Sequence, residues 1–130
     1  MSKIQEFLKN QEKSVMSNVE GKTIIDYFNN NAEEVPEYPA LNTPINSEYT
    51  GWDSVSWSAY RETVHNLASG LIDIGLQAED NAFIVANNVK EHFICDLGIM
   101  HAGAVPSTIY KQLKSGQIEY ISNLLEAKVA

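Results

Sequence analysis

The sequence has one cysteine, one arginine and no long apolar run, and each scarcity excludes a class of protein. Because Cys95 has no second cysteine to pair with, an internal disulfide is excluded and a reducing, cytoplasmic compartment is expected. Arg61 is the single arginine and the net charge is −8, so nucleic acid is not expected as a partner. No apolar stretch approaches the roughly 20 residues of a membrane-spanning helix, so no transmembrane segment is predicted.

Residues 1–21 also lack the apolar stretch and small-residue cleavage site of a secretory signal. They are polar, and beyond a brief apolar patch at Phe7 and Leu8 no helical stripe is sustained, which predicts a mobile or partner-dependent arm. The expected organisation is therefore a polar arm over residues 1–21 and an incomplete α/β subdomain over residues 22–130. No internal repeat is found.

The subdomain begins with signals for one helix and one hairpin. Thr23 followed by Asp26 is a capping pattern, and apolar spacing predicts a helix over residues 23–34 that the next proline ends. Two short strand pieces, residues 40–41 and 55–57, flank a long polar connection and predict a small β-hairpin.

From Ser56 onward the pattern becomes helix, strand, helix, strand, helix, strand. The helix that Gly75 ends has one apolar face formed by Tyr60, Val64, Leu67, Leu71 and Ile74. The apolar run at residues 82–86 predicts a strand buried on both faces, and residues 105–110 predict a second strand. The helix between them, residues 90–102, has a stripe formed by Val89, Phe93, Leu97, Met100 and Ala104.

A third helix and the start of a further strand follow these elements. The helix carries apolar residues at Ile118, Ile121 and Leu125, and residues 128–130 begin the strand. Because crossover helices join parallel strands, the βαβαβ order predicts a partial parallel sheet with right-handed crossovers. The fold class predicted is α/β, a partial parallel sheet flanked by helices and preceded by a helix and a small hairpin.

Two clusters of side chains suggest chemistry but favour a structural interpretation. Helical spacing brings His92, Cys95 and Asp96 near one side of a helix, yet His65 and His101 do not complete a metal-ligand spacing. We therefore predict no catalytic and no metal-binding residue, with Cys95 packing as a small apolar side chain. Four aromatic residues around the hairpin could stack on a flat ligand but are expected to cover a small core: Tyr38, Tyr49, Trp52 and Trp57.

Asn87 and Asn88 are the best candidates for a cofactor-binding site. They follow the first parallel strand, at the edge where α/β sheets usually bind ligands and where a helix N-terminus could contact an anion. Capping of the next helix by these two residues is the favoured alternative. Neither a GxGxxG nor a GxxxxGK[ST] loop follows the strand, so these two modes of phosphate binding are unsupported.

The segment from Asp96 to Tyr110, DLGIMHAGAVPSTIY, resembles a block near the N-terminus of adenylate-forming enzymes, in particular long-chain fatty acid acyl-CoA synthetases of the AMP-binding superfamily. The resemblance covers residues 23–130 and includes Asn87, Asn88 and Glu91 where the family commonly has Asn-Arg-Pro-Glu. It implies the N-terminal part of that fold. It further implies that the full-length parent is an ATP-dependent ligase that converts a fatty acid to an acyl-adenylate and transfers it to coenzyme A.

The resemblance also implies that the family's phosphate-binding loop and catalytic residues lie outside residues 1–130. ATP, Mg²⁺ and coenzyme A are therefore implied for the parent, while no cofactor and no activity are expected for this N-terminal fragment alone. Two alternatives stay open: a stand-alone noncatalytic interaction module, and a relative that activates aryl or other carboxylates. Peripheral attachment to a membrane is compatible with the expected cytoplasmic location. Self-association is expected through an uncovered face formed by Ile118, Ile121 and Leu125, through a free strand edge, or through the arm.

Overall fold

The structure, a computed structural model, describes residues 3–130 as an α/β fold in which helices pack around two small sheets. This confirms the predicted fold class. No helix among the described residues is both long and apolar enough to cross a membrane. In chain order the elements are α1 (Lys3–Val19), α2 (Ile24–Glu34), β1 (Pro39–Pro44), β2 (Trp52–Ser56), α3 (Trp57–Asp73), β3 (Asn81–Ile84), α4 (Lys90–His101), β4 (Val105–Thr108) and α5 (Ser115–Leu125).

The first helix, α1, corrects the prediction that the N-terminal arm sustains no helical stripe. Residues 3–19 contain neither glycine nor proline, and their lysine, glutamate and glutamine residues have high helix propensity. Polar residues interrupt the apolar spacing, which is why the stripe was missed. Ile4, Phe7, Leu8 and Val15 nevertheless share one side of the helix, and none of them is buried.

The second helix, α2, begins where the sequence predicted, because Thr23 and Asp26 form a reciprocal capping box. The backbone N–H of Thr23 donates to the Asp26 carboxylate at 2.6 Å, and the backbone N–H of Asp26 donates to the Thr23 hydroxyl at 3.4 Å. Hydrogen bonds from the backbone and then the side chain of Thr23 lower the pKa of Asp26. The helix buries Phe28 and Ala32 on its inner face.

Strands β1 and β2 form the predicted hairpin as an antiparallel pair, with Leu41 opposite Val55. The strand prediction was wrong at Trp57, which is the first residue of α3. The reason is that the hydroxyl of Ser56 accepts a hydrogen bond from the backbone N–H of Ala59 at 3.3 Å and caps the helix.

The prediction that four aromatic residues cover a core is right only for Trp57. Its ring centroid lies 5.9 Å from that of Phe28 and 6.2 Å from that of Tyr60. The other three aromatic residues are exposed: Tyr38, Tyr49 and Trp52.

Helix α3 buries Tyr60, Val64 and Leu71 as its periodicity predicted. Ile74 is an exception, because it is 71% exposed. It is the C-cap residue, just beyond the last helical turn, and Gly75 with φ of +103° turns the chain away from the helix. Because α3 ends at Asp73, the helical spacing no longer predicts on which side Ile74 lies.

Strands β3 and β4 are parallel, as predicted, with Ala82 opposite Pro106. Both are shorter than expected and end at Ile84 and Thr108. The expectation of burial on both faces was wrong: Ala82 and Ile84 are buried against α3 and α4, whereas Phe83 is only partly buried.

The chain's last described residues begin a third parallel strand beside β3, as predicted. The backbone N–H of Lys128 donates to the carbonyl of Asn81 at 2.8 Å, and the N–H of Phe83 donates to the carbonyl of Val129 at 3.0 Å. A parallel bridge joins Ala82 to Val129. Strand β3 is therefore central, with β4 on one side and these residues on the other.

Helix α4 packs across the parallel strands as predicted, but its inner face differs from the expected stripe. Val89 and Phe93 are exposed, whereas Gly98 and Ile99 are buried. The reason is that α4 lies between α3 and the sheet, so residues on more than one side of the helix are covered. Gly98 allows close approach to α3, since a Cβ at this position would lie 2.7 Å from Cδ2 of Leu67.

The uncovered face expected on α5 is only partly present. Its three predicted apolar residues, Ile118, Ile121 and Leu125, are half-buried, whereas Leu124 is exposed. The most exposed side of α5 is therefore the side that carries Leu124, and not the predicted side.

Most of the buried apolar residues form two groups, which we call the sheet cluster and the aromatic cluster. The aromatic cluster consists of Phe28, Tyr60 and Val64. The sheet cluster joins α3, β3 and α4 and consists of Ala68, Leu71, Leu76, Ala82, Ile84, Ile99, Ala102 and Ala104.

Candidate functional site

A pocket of about 280 Å³, which we call the polar pocket because most of its lining residues are of polar type, lies at the carboxyl ends of β3 and β4. This is the edge at which parallel α/β sheets usually bind ligands. The polar pocket is lined by Ala86, Asn87, Asn88, His92, Thr108, Ile109, Tyr110, Lys111 and Gln112. Asn87 and Asn88, the two candidate residues, thus lie at this edge.

One hydrogen bond joins the two walls of the polar pocket. Nε2 of His92, on α4, lies 2.9 Å from the Thr108 hydroxyl at the end of β4. Either group can serve as the donor, depending on the imidazole tautomer. The pair therefore fixes the position of an imidazole and a hydroxyl beside the opening of the pocket.

Asn87 and Asn88 are exposed and do not cap α4 through their side chains. The N-cap residue is Val89, which makes no side-chain capping bond, so the capping interpretation was wrong. Within residues 3–130 neither asparagine side chain makes a hydrogen bond, whereas the carbonyl of Asn87 accepts one from the N–H of Val89 at 3.0 Å. Both amides are thus available to a ligand.

The groups around the polar pocket suit a polar or anionic ligand. The two amides can donate and accept hydrogen bonds, and Lys111 adds a positive charge at the exposed rim. The first turn of α4 lies beside them, and its free N–H groups favour negative charge, although Glu91 in that turn partly opposes it.

An apolar cavity of about 310 Å³ lies next to the polar pocket and shares His92 with it. Cys95 lies in its wall and packs against the sheet cluster, which agrees with the structural role predicted for it. Burial, and then the charge of Glu91, raise the pKa of the Cys95 thiol. The thiol therefore remains protonated at neutral pH and is a poor nucleophile.

The structure does not bring Asp96 to this cavity. The charge of Asp96 instead affects Tyr60 of the aromatic cluster. Burial, and then the Asp96 charge, raise the pKa of the Tyr60 phenol to about 12. Within residues 3–130 no group of three or more histidine, cysteine, aspartate or glutamate side chains is placed to hold a metal ion. His92 and Cys95 thus lie close together without forming a metal centre.

A histidine pair that the sequence did not predict lies where α3 meets α4, with His65 exposed and His101 half-buried. The ring centroids of His65 and His101 are 5.1 Å apart, and Nδ1 of His101 donates to the carbonyl of Leu97 at 2.8 Å. Burial, then His101 and then Arg61, lower the pKa of His65. The spacing of 36 residues carried no signal for this contact, which arises only from helix packing.

His92, Thr108 and Lys111 were not predicted as members of the pocket. The strand-edge rule that selected Asn87 and Asn88 could have found Thr108, because it is the last residue of the neighbouring parallel strand. His92 depends on the direction of the first turn of α4, which sequence periodicity does not give.

Comparison with known proteins places this chain among the adenylate-forming enzymes. Residues 28–130 match the family described as AMP-binding enzyme. The long-chain-fatty-acid–CoA ligase heimdall of Drosophila melanogaster is 28% identical over 118 residues, which cover 89% of this chain and 17% of that protein. The vibriobactin-specific 2,3-dihydroxybenzoate-AMP ligase of Vibrio cholerae is 28% identical over 109 residues, covering 82% of this chain and 18% of that protein.

A solved structure agrees with the fold. The fatty acyl-adenylate ligase from Legionella pneumophila superposes with a TM-score of 0.71 at 15% identity, over 81% of this chain and 19% of that one. The chain therefore spans less than a fifth of the length of these three proteins. The predicted resemblance is confirmed. Since the family match covers most of its length, this chain belongs to the AMP-binding enzyme family.

Proposed function

We propose that residues 1–130 are the N-terminal portion of a long-chain fatty acid CoA ligase. In this proposal residues 22–130 are an incomplete α/β subdomain, residues 1–21 are an arm, and the whole protein is cytoplasmic. The observation that carries the proposal is the family match over residues 28–130, together with its similarity to a protein named as a long-chain-fatty-acid–CoA ligase. The parallel β3–α4–β4 unit also supports the proposal, because it supplies the framework expected of an α/β subdomain.

The proposed reaction has two steps. A carboxylate oxygen of the fatty acid attacks the α-phosphorus of ATP, and pyrophosphate leaves to give an acyl-adenylate. The sulfur of coenzyme A then forms a bond to the acyl carbon, and AMP leaves. Stabilisation of charge on the phosphates is the main requirement of the first step, and Mg²⁺ would supply part of it. The polar pocket has one lysine and no metal-binding cluster within residues 3–130, so this part supplies framework and substrate contacts.

Asn87 and Asn88 are the residues that we propose contact a substrate. Both amides are exposed, make no hydrogen bond to another residue within residues 3–130, and share the lining of the pocket with Lys111 at the carboxyl edge of the sheet. Such groups can bind the phosphate or another polar portion of ATP or coenzyme A. In the product of the complete reading frame, Asn88→Ala should raise the KM of one of these substrates. Asn123→Ala, an exposed asparagine on α5, is the matched control.

A second substrate class has a specific observation in its favour. The Vibrio cholerae relative is named as a ligase for 2,3-dihydroxybenzoate, which is an aryl acid, and its identity to this chain equals that of the Drosophila melanogaster protein. ATP–pyrophosphate exchange decides between the two classes. The product of the complete reading frame is assayed with palmitate and with 2,3-dihydroxybenzoate, beside residues 1–130 alone.

The expected result is exchange by the complete product with palmitate and none by residues 1–130. Exchange with the aryl acid alone would overturn the fatty acid assignment but keep the reaction type. A complete product that exchanges with neither acid, yet is folded by circular dichroism, would favour the noncatalytic interaction module. Exchange by residues 1–130 above a protein-free control would contradict the proposal that the catalytic and phosphate-binding residues lie in another portion of the protein.

A further inference from the structure

The half-buried imidazole of His101 has one nitrogen with a hydrogen-bond partner and one without. Nδ1 donates to the carbonyl of Leu97 at 2.8 Å. Since a carbonyl can only accept, Nδ1 carries the proton, and Nε2 of the neutral ring carries a lone pair. Nε2 is one of two buried side-chain nitrogen or oxygen atoms without a partner within residues 3–130, the other being Oδ1 of Asn29. A buried polar atom of this kind calls for a water molecule or an ion as its partner.

The ring of His65, on α3, lies beside that of His101. The ring centroids are 5.1 Å apart, and the ring planes form an angle of 54°. His65 is exposed, and within residues 3–130 neither of its nitrogens makes a hydrogen bond. Burial, then His101 and then Arg61, lower the pKa of His65, so its imidazole is neutral at pH 7.5. Neutral imidazole is the form that binds a metal ion.

The spacing and the hydrogen bonding of the pair both match two metal ligands. Zn²⁺ binds imidazole nitrogens at about 2.0–2.1 Å in tetrahedral geometry, which puts the centroids of two such rings about 5 Å apart. The observed distance is 5.1 Å. A metal-binding histidine also usually donates its other ring N–H to a carboxylate or a backbone carbonyl, which fixes the tautomer. The hydrogen bond from Nδ1 of His101 to Leu97 has this form.

The charges around the pair permit a cation. Arg61 precedes His65 by one turn of α3 and opposes a positive ion, but Oε1 of Glu33 lies 3.6 Å from Nη1 of this arginine and offsets its charge. The net charge of −8 on the whole chain attracts cations. Imidazole nitrogen selects late transition metals such as Zn²⁺, whereas Mg²⁺ prefers oxygen ligands.

We propose that His65 and His101 together bind one Zn²⁺ or a similar late transition-metal ion and thereby join α3 to α4. Within residues 3–130 no group of three or more histidine, cysteine, aspartate or glutamate side chains is placed to hold a metal, so water fills the other positions on the ion. The proposal goes beyond the ligase function, because this ion is not the Mg²⁺ of adenylate formation. Zn²⁺ binding can therefore fail while the proposed ligase activity stands, and the reverse also holds.

Calorimetric titration of residues 1–130, prepared without an affinity tag, with ZnCl₂ at pH 7.5 tests the proposal. We expect one Zn²⁺ per chain and no binding of Mg²⁺. His65→Gln and His101→Asn should each weaken Zn²⁺ binding by more than about tenfold. The asparagine keeps an N–H for the carbonyl of Leu97 but has no counterpart of Nε2. His92→Gln is the matched control and should bind like the unaltered protein, since His92 contacts Thr108.

Nitrogen spectra of the histidine rings locate the ion. Zn²⁺ should shift the ring signals of His65 and His101 and leave those of His92 unchanged. Circular dichroism checks the fold of each variant, and His65→Gln, at an exposed position, decides the result if His101→Asn is unfolded. Zn²⁺ at 100 times its Kd should also raise the folding equilibrium constant about 100-fold in the unaltered protein, measured by urea unfolding, and much less in His65→Gln.

Three results would overturn the proposal. Absence of Zn²⁺ binding would assign the partner of Nε2 of His101 to a water molecule. Binding that persists undiminished in folded His65→Gln would place the ion elsewhere, as would ring signals that shift for His92 alone.

Discussion

At the scale of single residues, the contact between Gly98 and Leu67 determines how closely α3 and α4 pack. A Cβ at position 98 would lie 2.7 Å from Cδ2, 2.9 Å from Cγ and 3.3 Å from Cβ of Leu67. Because three atoms of the leucine are involved, a simple rotation of its end does not relieve the clash. The small residue is thus a requirement of packing and not only of backbone freedom.

Gly98→Ala should therefore destabilise the protein by about 1–3 kcal/mol, the usual cost of overpacking. Gly70→Ala is the matched control, since a Cβ there meets nothing within 4 Å and α3 gains helix propensity. That control should stabilise the protein by roughly 0.5–1 kcal/mol. Urea unfolding followed by circular dichroism measures both, and equal effects of the two substitutions would contradict the packing argument.

His65 gives the free energy of unfolding a predictable dependence on pH. Burial, His101 and Arg61 lower its pKa below the ordinary value of 6.5 in the folded protein. Since the unfolded chain then binds more protons, the stabilisation is complete above pH 6.5 and decreases as the pH falls below it. His65→Gln should therefore reduce the loss of stability between pH 7.5 and pH 5.5.

The urea midpoint at both pH values measures this effect. His92→Gln is the control, because His92 contacts Thr108 and not the pair formed by His65 and His101. A chemical-shift titration of the His65 ring would report the pKa directly. A His65 pKa at or above its ordinary value would contradict the prediction.

At the scale of elements, the capping box of α2 is the clearest link between sequence and structure. Thr23 satisfies an N–H of the first helical turn, and its own N–H is satisfied by Asp26. Thr23→Ala should cost about 1 kcal/mol of stability, as is typical for the loss of an N-cap side chain. Thr23→Ser keeps the hydroxyl and should cost much less. Thermal unfolding of the three proteins tests this, and equal melting temperatures for the alanine and serine variants would exclude a capping role.

Local signals predicted α2, the hairpin, α3, the parallel pairing of β3 with β4, and the strand start at residues 128–130. Such elements depend on capping residues, prolines, glycines and short apolar runs, all of which act over a few positions. The predicted face of α4 was right only in part, since Leu97 packs on the aromatic cluster whereas Phe93 is exposed. The reason is that α3 and the sheet both cover this helix, and periodicity reports only one covered side. The sequence was enough to place Asn87 and Asn88 at the end of a strand. The hydrogen bond between His92 and Thr108 depends on how α4 packs against β4, which the sequence does not give.

At the scale of the whole molecule, two helices join the two clusters of buried residues. Helix α3 contributes Tyr60 and Val64 to the aromatic cluster and Ala68 and Leu71 to the sheet cluster. Helix α4 does the same, since Leu97 packs on the aromatic cluster while Ile99 belongs to the sheet cluster. Neither cluster can lose its packing without disturbing a helix that the other requires. The two clusters should therefore unfold as one cooperative unit.

Val64 tests this cooperativity, because it is fully buried with 0% exposure at the centre of the aromatic cluster. Val64→Ala should cost about 1–3 kcal/mol through lost apolar contacts and the cavity left behind. In a Trp52→Phe background, fluorescence of Trp57 reports the aromatic cluster and far-ultraviolet circular dichroism reports all helices, so both signals should shift to lower urea by the same amount. In a cooperative unit Ile99→Ala, in the sheet cluster, should also move the Trp57 signal and the helical signal together. A Trp57 transition that shifts in Val64→Ala but not in Ile99→Ala would show instead that the two clusters unfold independently.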